Sequence, residues 1–247
     1  MGFTMTEQFF TKSIKVQKII KGFNLTKSLL VSSILVGEDN IGKKSLIKYL
    51  FPNIMIVDGS NQKNVEETLA ISNKLIIFNF EKLTNMENLN FDNKQIIAVS
   101  NYISNERIID DLFAFIYKMP SLKDRVEDIE LLVNYFIKDV KRNLMIDKLI
   151  IDLNRVDISS NTKSLRKSVY KEAFINDCTN KDIEEILYNY LLKYMNGNND
   201  YKKYLSLYER PLIKAGLKKF YSQLKLSSIL GINRNTLRKK IHELNLN

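Results

Sequence analysis

An α/β domain followed by two all-α segments is the fold class that this 247-residue sequence predicts. Three observations predict it. Five short apolar runs, at residues 29–36, 54–58, 75–78, 96–100 and 115–119, are rich in Ile and Val and nearly continuous. That is the pattern of strands buried on both faces of a parallel sheet. Helix-like segments at 44–50, 64–73 and 105–112 separate several of them, which makes a layered α/β unit with a five-stranded parallel sheet and flanking helices. After Pro120 no further strand pattern follows, and the chain closes on two short helical patterns either side of a glycine.

In order, residues 11–28 read as a helix with Ile14, Ile19, Ile20 and Phe23 as its apolar positions. The sheet unit then runs to residue 120. Segments 124–141, 164–175 and 181–195 read as amphipathic helices, so 121–198 is expected to be a helical subdomain. Asn196-Gly197-Asn198-Asn199-Asp200 is the best linker, a cluster of turn-formers without an apolar residue. A helix over 209–220, with Pro211 in its first turn, carries Ile213, Leu217 and Phe220 on one side. That side would either meet a partner or cover the core of the last domain, 199–247.

The end of that domain looks like a helix-turn-helix. Leu226, Ile229 and Leu230 give one short helix an apolar face, and Gly231 supplies the positive φ at which a helix stops. Asn233 is a good N-cap for the next helix, in which Leu237, Ile241 and Leu244 fall on one face. Arg234, Asn235, Arg238 and Lys239 point elsewhere and supply donors for phosphates and base edges in a major groove. A solvated basic helix is the plainer alternative.

Composition supports a polyanion partner. The chain carries 38 Lys and Arg against 28 Asp and Glu, a net charge of +10. Residues 201–247 hold eleven of those cations and two acids, +9, which leaves about +1 for the first 200 residues. A nearly neutral body with a basic end domain points to nucleic acid; a membrane surface fits less well, because the basic helix lacks a broad apolar aromatic face. One Cys (Cys178) and one His (His242) exclude a disulfide framework and a His/Cys metal site. No apolar run reaches the ~20 residues of a membrane span. The N-terminus lacks the pattern of a secretion signal, and a cytoplasmic location is expected.

Between the first strand and the next helix lies Gly37-Glu38-Asp39-Asn40-Ile41-Gly42-Lys43-Lys44, which satisfies GxxxxGK but lacks the final Ser or Thr. Backbone amides curled round phosphate, a helix N-terminus and a Lys are what phosphate binding needs. A strand-to-helix turn that simply requires glycines is the alternative.

Two family resemblances rest on these residues. GINRNTLRKKIHELNLN, with ERPLIKAGLKKF upstream, resembles the C-terminal domain of Fis, a module that also ends the NtrC-type enhancer-binding activators. It implies base contacts from Asn233 and Arg234. Thr236, Arg238, Lys239 and Lys225 would hold phosphates, with Asn235 and Lys240 completing the DNA-facing set. Tyr221-Ser222 stands where that module usually has Gly-Asn. Further upstream the chain resembles the AAA+ domain of the same activators. GEDNIGKK looks like their GExGxGKE loop, IIAVSNYISN like their IIAATN sensor strand, and MPSLKDRVEDIELLVNYF like LPPLRERxEDIxxLxxxF, which begins the helical lid. NTKSLRKSV echoes the lid motif GNVRELEN and places Arg166 at its arginine. The implied nucleotide site is Gly37, Gly42, Lys43, Lys44, Ser45 and Arg166.

Departures from that family shape the functional expectation. Asn79-Phe80 replaces the Asp-Glu that ends the third strand, and Glu81, one position on, is expected to face the wrong way. Ile109 and Phe115 stand where the activators carry arginine fingers. The segment 59–74 is too short for the loop that grips the nitrogen sigma factor, no GAFTGA-like sequence exists, and the stretch ahead of Leu29 is too short for a receiver domain. The expectation is therefore a sequence-specific DNA-binding transcription regulator whose AAA+-like domain has lost ATPase chemistry and serves dimerisation or ligand sensing. Its partners would be double-stranded DNA, a second copy of the chain and RNA polymerase, with no membrane. No cofactor is required, and a nucleotide at the degenerate phosphate loop is the one candidate. The alternatives are an ATP-hydrolysing activator of the nitrogen sigma factor and a Fis-like architectural protein that bends DNA.

Overall fold

The computed structural model describes residues 9–146 and 148–246; the N-terminal stretch read for a secretion signal lies, as far as Gln8, outside them. Two compact units divide the chain, Met1–Asp177 and Cys178–Asn247.

The first unit is built on an all-parallel sheet of β1 (Ser33–Val36), β2 (Ile56–Asp58), β3 (Lys74–Phe78), β4 (Gln95–Ser100) and β5 (Phe115–Lys118), in the order β2-β3-β4-β1-β5. Alternation along the strands sorts the core into two layers. Ile34, Ile77 and Ala98 face α3 (Gln62–Ile71) and α4 (Glu106–Leu112), where Val65, Leu69 and Ile109 are buried. Leu35, Ile76 and Val99 face α1 (Ile14–Thr26) and α2 (Lys43–Leu50), where Val16, Phe23, Leu46 and Ile47 are buried. The helix between β2 and β3 runs without insertion, in keeping with the short segment read there.

Some expectations shift in detail. The first strand begins at Ser33, where pairing to Ile97 and Phe115 starts, and Leu29 and Leu30 ahead of it are exposed. Strands β2 and β5 lie at the sheet edges and are only partly buried, since each has one neighbour rather than two. In α1, Val16 takes the inward position and Ile14 is exposed. Beyond the sheet, α5 (Ile129–Leu144) and α6 (Thr162–Asp177) pack Val133, Phe136 and Val140 against Leu165, Val169 and Ala173.

The second unit contains α7 (Asn180–Tyr194), α8 (Asp200–Phe220), α9 (Gln223–Leu230) and α10 (Arg234–Glu243). Helix α7, expected with the lid, is grouped with the compact unit Cys178–Asn247. Thr179 and Asp182 form a capping box that starts it. Helix α8 is 21 residues long with Pro211 inside it rather than in its first turn. Residues 200–210 contain no glycine or proline to stop a helix, and Pro211 forgoes only the bond to the Leu207 carbonyl.

Ile213, Leu226, Leu237, Ile241 and Leu244 form the buried core of this unit, with Leu217 and Phe220 packed against it. The 213/217/220 side of α8 therefore covers α9 and α10 and is not a free partner face. Ile229, expected inside, is 51% exposed. Gly231 adopts φ +64 and closes α9 as its position predicts. Tyr221 takes φ +54 at the turn into α9.

Close packing of α8 on α9 depends on Gly216. A Cβ there would lie 2.3 Å from Leu226 Cδ1, and Leu226 is buried too deeply to move aside. Gly216→Ala is expected to lower the unit's stability by about 1–3 kcal/mol through overpacking. Gly231→Ala, with no heavy atom within 4 Å, should cost only left-handed strain, about 1 kcal/mol. Urea titration of both variants checks the order; a larger loss at Gly231 would contradict it.

Candidate functional site

The glycine loop leaves β1 and enters α2 through Gly42, which caps the helix at φ +93. Gly37 is required by space as well: a Cβ would lie 2.6 Å from the Met119 carbonyl. Every loop carbonyl from 37 to 41 is claimed. Lys43 Nζ donates to Gly37 O and Glu38 O, both at 2.5 Å. Asn161 Nδ2 donates to Asp39 O (3.0 Å), Thr162 donates to Asn40 O through N (3.0 Å) and Oγ1 (2.6 Å), and Arg125 Nη2 donates to Ile41 O. The first-turn amides of α2 have no intrahelical partner and remain to meet an anion.

Three of those donors come from the lid. Asn161, which holds φ +54, also bonds Glu38 Oε2 at 3.0 Å and accepts from Leu122 N at 2.8 Å. Arg125 is paired with Asp128 at 3.3 Å, with 3% and 0% side-chain exposure. Burial lowers the Arg125 pKa, and Asp128 opposes that effect. Asp128 in turn accepts from Lys12 N (2.6 Å), Ser13 N (3.2 Å) and Thr11 Oγ1 (2.8 Å) at the start of α1. Sequence reading placed the Arg125–Asp128 stretch in a motif but gave these residues no role. Paired charges three apart, ahead of a helix in a chain otherwise rich in exposed lysine, were the available signal.

The C-terminal edge of the sheet brings in more groups. Lys43 Nζ also reaches Asn101 Oδ1 at 3.0 Å, and Asn101 donates to Glu81 through N (3.2 Å) and Nδ2 (2.9 Å). Burial depresses the Lys43 pKa to about 8; Asp39, Glu81 and Glu38 act against that, and Lys44 with it. Glu81 thus stands in the site, contrary to the strand-alternation argument. Strand β3 ends at Phe78, Asn79 turns at φ +55, and Glu81 lies in the short helical turn Phe80–Lys82, where alternation no longer applies. A residue type tolerant of left-handed φ, at the strand's end, was the signal. Phe80 is buried against Phe91 and Phe113. Ile109 is buried, and Phe115 stacks on Tyr117 at the sheet edge.

Lys44 Nζ donates to Asn79 Oδ1 at 2.8 Å, and Asn79 Nδ2 donates to Asp58 Oδ2 at 2.7 Å. Hydrogen bonds from Ser60 first, then Asn79 and the charge of Lys44, hold the Asp58 carboxyl down to about 2. Asp58 was missed by sequence reading, although an acid at the C-terminal end of a parallel strand is where such sheets bind ligands.

A cavity of about 920 Å³ opens beside the loop, lined by Asn40, Gly42 and Ser45 together with Phe9, Tyr135 and the lid residues Lys163, Arg166 and Lys167. Arg166 is tied to Asp139 at 2.9 Å and to Tyr170 at 3.5 Å. Aligning Asn161-Thr162-Lys163-Ser164-Leu165 with the Asn-Val-Arg-Glu-Leu of the lid motif sets Lys163, rather than Arg166, under its arginine. Both line the same cavity.

In the second unit, Lys225, Arg234, Asn235, Thr236, Arg238 and Lys239 are all exposed. Asn233 is exposed too, and its Oδ1 accepts from Asn235 N at 2.8 Å as an N-cap, which leaves its amide donors free of the cap. Lys240 departs from its expected role: its ammonium pairs with Glu209 of α8 and binds the two helices together.

No protein-family model matches the chain. It is 28% identical over 174 residues to an NtrX-like response regulator of Rickettsia bellii, an alignment covering 60% of this chain and 36% of that protein. It is 29% identical over 167 residues to the DNA-binding transcriptional regulator NtrC of Azospirillum brasilense, covering 52% and 35%. The chain thus spans little more than a third of the curated relatives it matches. NtrX of Brucella abortus, solved in complex with ATP, superposes with a TM-score of 0.56 at 14% identity, covering 96% of this chain and 70% of that one. The fold is AAA+-like. In sequence the AAA+-like chain is similar to regulators of the NtrC and NtrX type.

The Arg125–Asp128 pair joins three segments of the AAA+-like unit, and removing one partner strands a buried charge. Asp128→Ala is expected to destabilise that unit by about 3–5 kcal/mol, and Arg166→Ala, which breaks an exposed pair, by less than about 1 kcal/mol. Denaturant unfolding of the two variants checks this; equal losses would overturn it.

Proposed function

We propose that this chain is a sequence-specific DNA-binding transcription regulator whose AAA+-like unit binds a nucleotide without turning it over. The observation that carries the DNA reading is α10. Its apolar side is spent on the core through Leu237 and Ile241, while Arg234, Asn235, Arg238 and Lys239 stand together in solvent at the end of the chain that holds nearly all the net charge. With the Asn233 acceptor committed to its cap, base reading falls mainly to Arg234, whose guanidinium suits the O6/N7 edge of guanine. Similarity to an NtrC described as DNA-binding supports the same reading. Arg234→Ala is expected to cost about 1–3 kcal/mol on a selected site and little on random DNA. Lys239→Ala should weaken both alike and lower the salt slope by about one unit. Equal losses from Arg234→Ala on both DNAs would sink base reading.

The chain acts as a dimer in this reading. One recognition helix reads few base pairs, and two-fold doubling is the usual remedy. Helix α7 has no buried residue, and Ile183, Leu187, Tyr190 and Tyr194 recur along one stripe of it, all exposed. Apolar stripes of that kind are normally covered, and a second copy is the occupant we assign. Leu187→Glu is expected to leave a monomer in sedimentation at micromolar concentration and to weaken operator binding; an unchanged dimer would reject the assignment.

For the nucleotide, the support is the loop with its claimed carbonyls, the cationic aromatic cavity, and the ATP and ADP complexes of the Brucella abortus NtrX. Hydrolysis is the second reading, favoured by Glu81 beside Asn101. Against it stand Asn79 at the metal position and the uncharged Ile109 and Phe115 where fingers would be. Phosphate release with ATP, Mg²⁺ and DNA is expected to stay far below ~1 s⁻¹; faster turnover abolished by Lys43→Ala would establish the second reading. Nucleotide affinity should also follow the Lys43 charge. With a pKa of about 8 the cation is lost as pH rises, so binding weakens about tenfold from pH 7 to pH 9, and Lys43→Ala flattens the profile.

A further inference from the structure

Mg²⁺ is the metal that a phosphate loop of this kind implies, so the first question is whether these residues fit it. In the GxxxxGK[ST] pattern the residue after the Lys gives a hydroxyl to Mg²⁺, and an acid at the end of the neighbouring strand completes the metal's surroundings. Here the first position is Lys44 and the second is Asn79. The two are bonded to each other: Lys44 Nζ lies 2.8 Å from Asn79 Oδ1 and 5.3 Å from the centre of the Phe78 ring. A divalent cation placed among these groups would meet an ammonium instead of a hydroxyl, and a neutral carboxamide oxygen already taken by that ammonium. Asp58 is the nearest acid in the chain of hydrogen bonds, and it accepts from Asn79 and from Ser60. Both Glu81 oxygens are occupied by Asn101. The set does not fit Mg²⁺.

It does fit a monovalent cation supplied by the chain itself, on the exposed side chain of Lys44. Lys44 sits in the first turn of α2, beside Lys43 and the loop, and three groups hold its ammonium near the sheet edge: the Asn79 oxygen, the Phe78 ring face and the charge of Asp58. The two substitutions are complementary. A lysine here would repel Mg²⁺ beside an aspartate, and an asparagine alone would only weaken the metal; together they exchange a bound ion for a tethered one.

We propose that the Lys44 ammonium takes the place of Mg²⁺ in this phosphate loop, so that the chain binds a nucleoside polyphosphate in its metal-free form. The inference rests on the reading that the loop binds a nucleotide, and it adds which ionic species is bound. Lys44 then supplies the compensating charge from the first turn of α2, beside Lys43 and the loop, and nothing in the arrangement requires a divalent ion.

The test is titration of the full chain with ADP and with ATP by calorimetry, in excess EDTA and in excess Mg²⁺. The proposal expects equal or tighter binding in EDTA. The double variant Lys44→Thr with Asn79→Asp should reverse the preference, binding about tenfold or more tightly with Mg²⁺ than with EDTA; its thermal unfolding is recorded beside the wild type. Wild-type binding that weakens about tenfold in EDTA overturns the proposal and leaves the nucleotide reading standing. Binding in neither condition overturns both. If the double variant does not fold, the wild-type comparison alone decides.

Discussion

A buried ion pair, Arg125 with Asp128, is the interaction on which the AAA+-like unit depends. Its two charges are almost wholly removed from water, which is costly unless each finds further partners. They find them in different places. Arg125 bonds the Ile41 carbonyl of the phosphate loop, and Asp128 caps the amides that begin α1. A segment from the N-terminus, the loop after β1 and the first turns of the lid are thereby fixed to one another by two side chains.

From that anchor the organisation of the site follows. With the loop carbonyls bonded by Asn161, Thr162, Arg125 and Lys43, the backbone has only amides left to offer, and amides at a helix N-terminus favour an anion. The same hydrogen bonds make the loop conformation a property of the lid as well as of the glycines. A change in lid position would therefore be felt at the loop.

The second unit is held together differently, by close approach rather than by charge. Gly216 lets α8 touch Leu226, and Leu226 carries the contact on to Leu237 and Ile241. Lys240 and Glu209 add one ion pair between α10 and α8. Because the apolar face of α10 is used up internally through Leu237 and Ile241, its cations are displayed as a consequence of packing. Helix α7 meets α8 through Tyr190 against Tyr204 and the Tyr204 hydroxyl on the Tyr194 carbonyl, and leaves Ile183 and Leu187 exposed.

The sequence by itself determined the layers, the five strands and the glycine turn between the last helices. Those features are written in local chemistry: β-branched runs, period-3.6 apolar faces, and glycines where φ must be positive. It also marked the asparagine at position 79 and the basic end of the chain, because both are matters of residue identity. What only the tertiary structure decided are the matters of distance. Glu81 entered the site because Asn79 takes a left-handed turn and Phe80–Lys82 coils into a short helical turn, which no periodicity argument can register. Helix α8 ran through Pro211 because its upstream turns had nothing to stop them, and α7 left the lid because its contacts lie with the second unit. Lys44 was an unmatched letter in a motif until the fold set its ammonium 2.8 Å from Asn79, residues 35 positions apart in the chain. Pairings of that kind arise from parallel strands bringing separate loops to one edge of a sheet, and no local pattern encodes them.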